Sequence, residues 1–278
     1  MGAARRRKDR GRRRARRAVL LCLLAGMMVA AGNLGYRGVA ELAERRQGDQ
    51  FYARLASVVI SSTHAAGHAP TPSPTPTAPL PVPPATTPAP RRSQMDFGAL
   101  RESCPDAVGW LRLADSVIDY PVVQGVDNDF YLRHLADGTE NEAGSIMLDQ
   151  ANAGDFSDAV SILHGHHMRS GAMFGDLEEY AQEAYFRAHP VFELFTPQGD
   201  YEAWVFAAYT VDGYSYDYPT GFADAEEFAA FVRVAVEATP YETGVSVTSG
   251  DRILLLSTCA YSYEGARFVV LGKLVEVP

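Results

Sequence analysis

The chain has 278 residues, is 47% hydrophobic and carries a formal charge of −9, enough to bury one sizeable core with appendages. The net charge conceals a strong polarity: residues 1–17 hold ten of the 25 Lys and Arg, whereas from Met95 onward 9 basic residues face 30 acidic ones, a formal −21. A basic head alone is compatible with a nucleic-acid arm, but the acidic remainder and the segment that follows the arginines argue against a nucleic-acid partner.

That segment, AVLLCLLAGMMVAAGNLGY over 18–36, is uncharged and mostly apolar. Nineteen helical residues rise about 28 Å, close to the roughly 30 Å of a bilayer core. Arginines before it give the positive-inside signature, so we expect a cytoplasmic tail (1–17), a single-pass transmembrane anchor (18–36) and everything beyond outside the cell. A cleaved secretory signal ending near the AAG at residues 30–32 is the competing reading. Residues 37–63 place Val39, Leu42, Phe51, Leu55 and Val58 among charges and read as an amphipathic juxtamembrane helix. Residues 64–94 form a linker: ten of the 17 prolines lie between Pro70 and Pro90. Such a piece is extended polyproline-like stalk, at most about 65 Å long.

The globular domain is expected over 95–278. MDFGALRESC puts Phe97, Leu100 and Cys104 on one helical face, which marks Cys104 as a core residue. VGWLRL, SVIDYPVV, GSIMLD, AVSILHGH, VFELFT, YEAWVFAAYTV, RILLLST and RFVVLGKLVEV then read as strands. Helices are expected at Asn128–His134, Met173–Phe186 and Ala225–Ala238, the last with Phe228, Phe231, Val232 and Ala235 at helical spacing. Many short strands with few helices point to a closed or nearly closed β-barrel with helical insertions.

Three cysteines, Cys22, Cys104 and Cys259, do not make a disulfide framework. A free thiol outside the cell is exposed to oxidation, so Cys259, at the end of the buried strand ILLLST, is a candidate for chemistry. Arg267 opens the next strand after a short loop, which makes the two residues cross-strand neighbours at the barrel rim. A guanidinium there can hold a thiolate or donate to an oxyanion; a rim salt bridge is the plainer role for it. A thiol that releases an amine needs an acid, and histidine is the usual supplier. His164, His166 and His167 crowd into SILHGHHMRSGAMFGDL, with His164 and His166 sharing one face of an extended segment. Zinc is the alternative for such a cluster, although no third ligand stands at a recognisable spacing.

LSTCAYSYEGARF, with Arg267 eight residues after Cys259, resembles the signature of sortases, the cysteine transpeptidases of Gram-positive bacteria. GHHMRSGAMFGDL is similar to the histidine-bearing segment of class B sortases, in which a GHNM-like stretch is followed shortly by MF. DAVGWLRL, VIDYPVVQGVDNDFYL and GSIMLD extend the likeness over nearly all of Met95 to Pro278. Two departures stand out: His164 replaces the usual tyrosine, and His167 the usual asparagine. The resemblance implies an eight-stranded sortase barrel with Cys259 as nucleophile, His166 as acid and base, and Arg267 as oxyanion or peptide holder, with no cofactor. It implies as partners secreted proteins bearing a C-terminal sorting signal and a lipid-linked peptidoglycan precursor at the membrane. A non-catalytic anchored barrel that binds wall peptides and a pilus-polymerising sortase are the alternatives.

Overall fold

The computed structural model describes residues 27, 28, 32, 35, 36, 39, 42–57, 95–260 and 262–277. The expected tail and proline-rich linker lie outside the described residues, as does most of the expected anchor. Among the described residues no helix is long and apolar enough to cross a membrane.

Eight strands close into a barrel in the order β1-β2-β3-β4-β7-β8-β6-β5. They are β1 (Ala107–Leu113), β2 (Asp119–Val123), β3 (Ile146–Leu148), β4 (Val160–His164), β5 (Val191–Thr196), β6 (Gly199–Asp212), β7 (Arg252–Cys259) and β8 (Ala266–Glu276). All eight expected strands are present. Two neighbouring pairs, β2 with β3 and β4 with β7, run parallel, and the rest are antiparallel. Closure leaves no free sheet edge.

The near-continuous apolar run of β7 has a structural cause. Leu254 and Leu256 point into the main core, whereas Ile253 and Leu255 join a second cluster with Val160, Ile162, Val269 and Leu271. Helix α4 (Ala225–Ala238) covers that outer face with Phe228 and Ala235. Both faces of β7 are therefore buried and the strand loses its polar alternation. Helix α4 occupies the span expected from periodicity. It starts at Asp224, whose carboxylate accepts the N–H groups of Glu226 and Glu227, with two acidic residues in the first turn to match the helix dipole.

Two other helical expectations are corrected. Across Asn128–His134 only one 3-10 turn forms, Phe130–Leu132. The Asp127 carboxylate takes the N–H groups of Asp129 and Phe130, and this local capture competes with a longer helix. Across Met173–Phe186 a 3-10 stretch, Gly175–Ala181, gives way at the extended Gln182 to a separate helix, α3 (Glu183–Ala188). Helix α2 (Phe97–Ser103) is as expected: Asp96 caps it, and Phe97, Leu100 and the following Cys104 are buried.

Residues 42–57 are helical (α1), and from Gly48 onward α1 belongs to the same compact unit as the barrel. Its buried stripe is Gly48, Tyr52 and Leu55, while Val39 and Leu42 are exposed. Of the expected stripe, Leu55 is buried, Phe51 packs against the core and Val58 lies outside the described residues; Tyr52 joins the buried face through its hydrogen bonds to Gly144 and Ser145. Gly48 lies against the same loops, where a Cβ would meet Asn141, Ala143 and Leu135 at ordinary contact distances of 3.5 to 3.8 Å.

Candidate active site

Strands β4 and β7 run parallel, so their C-terminal ends emerge at the same rim, and antiparallel β8 begins there. The β7–β8 ladder runs from Arg252 opposite Leu274 to Cys259 opposite Arg267. The expected cross-strand pairing of thiol and guanidinium is thus the last rung of a ladder. Cys259 is partly exposed; Cys104 is fully buried. Burial pushes the Cys104 thiol up to about 12, with the charge of Asp137 adding to the effect, so this cysteine is an inert core residue.

Arg267 has room because of Gly213. A Cβ at Gly213 would lie 2.7 Å from Arg267 Cγ and 2.8 Å from the Gly265 carbonyl oxygen, and the Gly213 N–H donates to that same oxygen at 3.0 Å. Gly265 sits at φ +80°, and its face is covered by the Tyr214 ring. The β7–β8 loop is therefore clasped from the end of β6, and the Arg267 stem runs beneath that clasp.

The histidine segment continues β4 along β7. His164 pairs with Ser257, the Gly165 N–H donates to the Ser257 carbonyl at 3.2 Å, and Thr258 Oγ1 donates to the Gly165 carbonyl at 2.9 Å. Thr258 is buried and spent on this bond. Gly165 is sterically required: a Cβ would fall 2.5 Å from Ile146 Cδ1 and 2.7 Å from Phe174 Cδ2. The segment then closes on itself, with the Phe174 N–H donating to the His166 carbonyl at 3.0 Å and His167 bridging to Met173.

Each of the three histidines has a different partner. His164 Nε2 lies 2.9 Å from Asp149 Oδ2, and its ring meets Tyr218 edge-on at 5.4 Å. His166 Nε2 lies 2.7 Å from the Leu132 carbonyl oxygen. His167 Nδ1 lies 2.9 Å from the carbonyl oxygen of Cys259 itself and 3.5 Å from Glu178. A carbonyl oxygen only accepts, so His166 carries its proton on Nε2 and, in its neutral form, leaves Nδ1 as the basic nitrogen. By the same rule His167 carries its proton on Nδ1 and is committed to the backbone of Cys259.

Several residues around the site were not singled out from sequence. The hydrogen bond from His164 holds the Asp149 carboxylate below its usual range despite partial burial; the Ala151 N–H, the charge of His164 and the Asn128 amide assist. Tyr218, on the loop after β6, bonds to Ser257 Oγ at 2.7 Å. Burial raises its phenol above the ordinary value; the Ser257 bond and the Arg267 charge oppose that shift, and Cys259 and Asp149 reinforce it. One phenol thus feels the thiol, the guanidinium and the His164-linked carboxylate together. Tyr218 had a faint signal in the tyrosine-rich YSYDYP loop, and Asp149 in its place after a strand. The Leu132 carbonyl had none. Among the described residues no cluster of three or more His, Cys, Asp or Glu is arranged to hold a metal, so the zinc alternative gains no support.

A sortase domain model matches residues 111–275. Sortase B of Listeria monocytogenes is 36% identical over 193 residues, which is 69% of this chain and 78% of that protein. Sortase B of Staphylococcus aureus is 33% identical over 186 residues, 65% of this chain and 75% of that protein. The solved Staphylococcus aureus sortase B–substrate complex superimposes with a TM-score of 0.69 at 27% identity, covering 85% of this chain and 100% of that one. The chain belongs to the sortase family as a class B sortase, a cysteine transpeptidase that attaches proteins to the cell wall.

Proposed function

We propose that Cys259 is the nucleophile of this sortase, His166 its general acid and base, and Arg267 its oxyanion or peptide holder. The Cys259 thiolate attacks the carbonyl carbon of the scissile peptide bond in a sorting pentapeptide. The tetrahedral intermediate collapses to a thioester as His166 gives a proton from Nδ1 to the departing amine. An amine of a lipid-linked peptidoglycan precursor then attacks the thioester, His166 takes the proton that this amine loses, and Cys259 leaves as the thiolate, which restores the starting thiolate–imidazolium pair. Arg267, on the last rung beside Cys259, holds the developing negative charge.

The observation that carries this reading is the Cys259–Arg267 rung with a partly exposed thiol, at the rim where the segment bearing His166 leaves β4 alongside β7. The basic head, apolar segment and proline-rich stalk support a single-pass anchor with the barrel outside the cell. Tethering near the membrane raises the effective concentration of an enzyme whose two substrates are themselves held there.

The test is an alanine panel read with quenched-fluorescence peptides, selected from a sorting-pentapeptide library by wild-type turnover. Cys259→Ala abolishes both cleavage and thioester capture by hydroxylamine, and His166→Ala is nearly as damaging. His164→Ala and His167→Ala keep substantial turnover. A Cys259→Ala enzyme that still cleaves removes the nucleophile assignment, and a dead His164→Ala beside an active His166→Ala moves the acid to the other imidazole.

A further inference from the structure

His166 lies beyond the end of β4, where no strand partner orients it, and it is gripped at two points: Nε2 by the Leu132 carbonyl and its own carbonyl by the Phe174 N–H. Both grips lead to one residue on α1. Along the first path, the Tyr52 hydroxyl donates to the Gly144 carbonyl at 2.7 Å and lies 3.1 Å from Ser145 Oγ. Gly144, at φ +60°, is pressed against the backbone that holds His166: a Cβ there would meet the Tyr131 and Leu132 carbonyl oxygens, each at 2.8 Å. Ser145 continues the tie through its N–H to the Tyr131 carbonyl and its hydroxyl to the His134 carbonyl. Along the second path, the Tyr52 ring packs edge-to-face on Tyr120 at 5.1 Å, and the Tyr120 hydroxyl accepts the Met173 N–H at 3.1 Å, next to Phe174.

The space around this junction is not filled. A cavity of about 230 Å³ lies beside it, walled by Tyr52 and Ala56 of α1, Tyr120, Ala143, Ala172 and Met173. Here Tyr52 adds to the apolar contacts of Leu55, Phe51 and Ala56 a polar tie from α1 to the loops that hold the histidine. Burial keeps its hydroxyl protonated through the physiological range, so it is a permanent donor.

We propose that Tyr52 is a positioning residue for His166, acting through the Gly144–Leu132 and Tyr120–Met173 contacts, so that the helix preceding the stalk is part of the catalytic apparatus. The inference rests on the reading of His166 as the acid. Its consequence is that the reaction senses the seating of α1, the described helix nearest the expected anchor.

The experiment compares Tyr52→Phe, Leu55→Ala and His166→Ala in the full chain, well below the melting temperature of each, with the library-selected peptide. Tyr52→Phe keeps the ring and removes the donor. It is expected to lower kcat about tenfold with KM unchanged, and to have no further effect in a His166→Ala background. It also shifts the pH profile of kcat, because the imidazole no longer meets the Leu132 carbonyl in the same way. Leu55→Ala, buried on the same helix face but without a polar tie, lowers the melting temperature and leaves kcat in place. Wild-type kcat and pH profile in Tyr52→Phe, or an equal kcat loss in Leu55→Ala, overturns the inference while a dead His166→Ala keeps the acid assignment. An active His166→Ala, or a wild-type enzyme that cleaves no library member, removes the underlying reading instead.

Discussion

The two halves of the site are built by different physics. Cys259 and Arg267 face each other as one rung of a ladder whose other seven rungs lie deeper in the barrel, so backbone hydrogen bonds fix their relation. The histidine segment has no such ladder past Gly165. His164 is held by Asp149, His166 by Leu132 and Phe174, His167 by Cys259, and Met173 by Tyr120. The Cys259–Arg267 pair is preorganised by secondary structure and His166 by tertiary contacts. Damage to the placement of His166 should therefore come from many places in the chain, and damage to the pair from few.

The strongest way to break this arrangement is Gly165→Ala. The added methyl meets Ile146 and Phe174, both fully buried, and neither can retreat without disturbing the core. Overpacking of this kind costs about 1–3 kcal/mol, which a denaturant titration should read. The His166 backbone moves with it, and a displacement near 1 Å costs roughly 100-fold in turnover. A wild-type kcat in Gly165→Ala would mean that the segment is not rigidly held.

Gly213→Ala tests the other half. Its methyl collides with the Arg267 stem and the Gly265 carbonyl oxygen, yet the β7–β8 rungs below are untouched. The expected result is a fall of about tenfold in kcat/KM, smaller than the roughly 100-fold or more for outright loss of an oxyanion donor. Stability should barely change, since the clash lies at the rim. A drop as large as that of Gly165→Ala would show that the pair depends on its loop as much as His166 does on its own.

The same division explains what could be read from sequence. ILLLST announced a strand buried on both faces, and the spacing from Cys259 to Arg267 announced the rung, because ladders obey local periodicity. All eight strands and α4 followed from apolar patterning and its breaks. The supports of the histidines did not. His166 is bound to a carbonyl 34 residues away, and Tyr52 to one 92 residues away. Backbone acceptors carry no side-chain identity, so nothing in the residues 130–145 marks Leu132 or Gly144 as contacts. The stripe of α1 was only partly legible for a related reason: Leu55 and Phe51 face the core as their apolarity suggests, but Tyr52 is amphipathic, and only its buried acceptors decide that it faces inward.

The mildest expected effect lies at Asp149, which tethers His164 just before the segment leaves β4. The hydrogen bond from His164 leads the causes that hold its carboxyl below the ordinary value of 3.8. A depressed carboxylate stabilises the fold at pH above its unfolded value and loses that contribution as the pH falls through its folded value. Asp149→Asn keeps the shape and the acceptor but removes the charge. At neutral pH it should lower stability by no more than about 1 kcal/mol, the scale of a partly exposed ion pair. As the pH falls below the ordinary carboxylate range, wild type loses the same contribution and the gap between the two proteins should close, as read from denaturant midpoints at both pH values. A gap that stays constant would mean that the Asn128–Asp149–His164 tie depends on shape alone. Its closing would mark the tie as electrostatic.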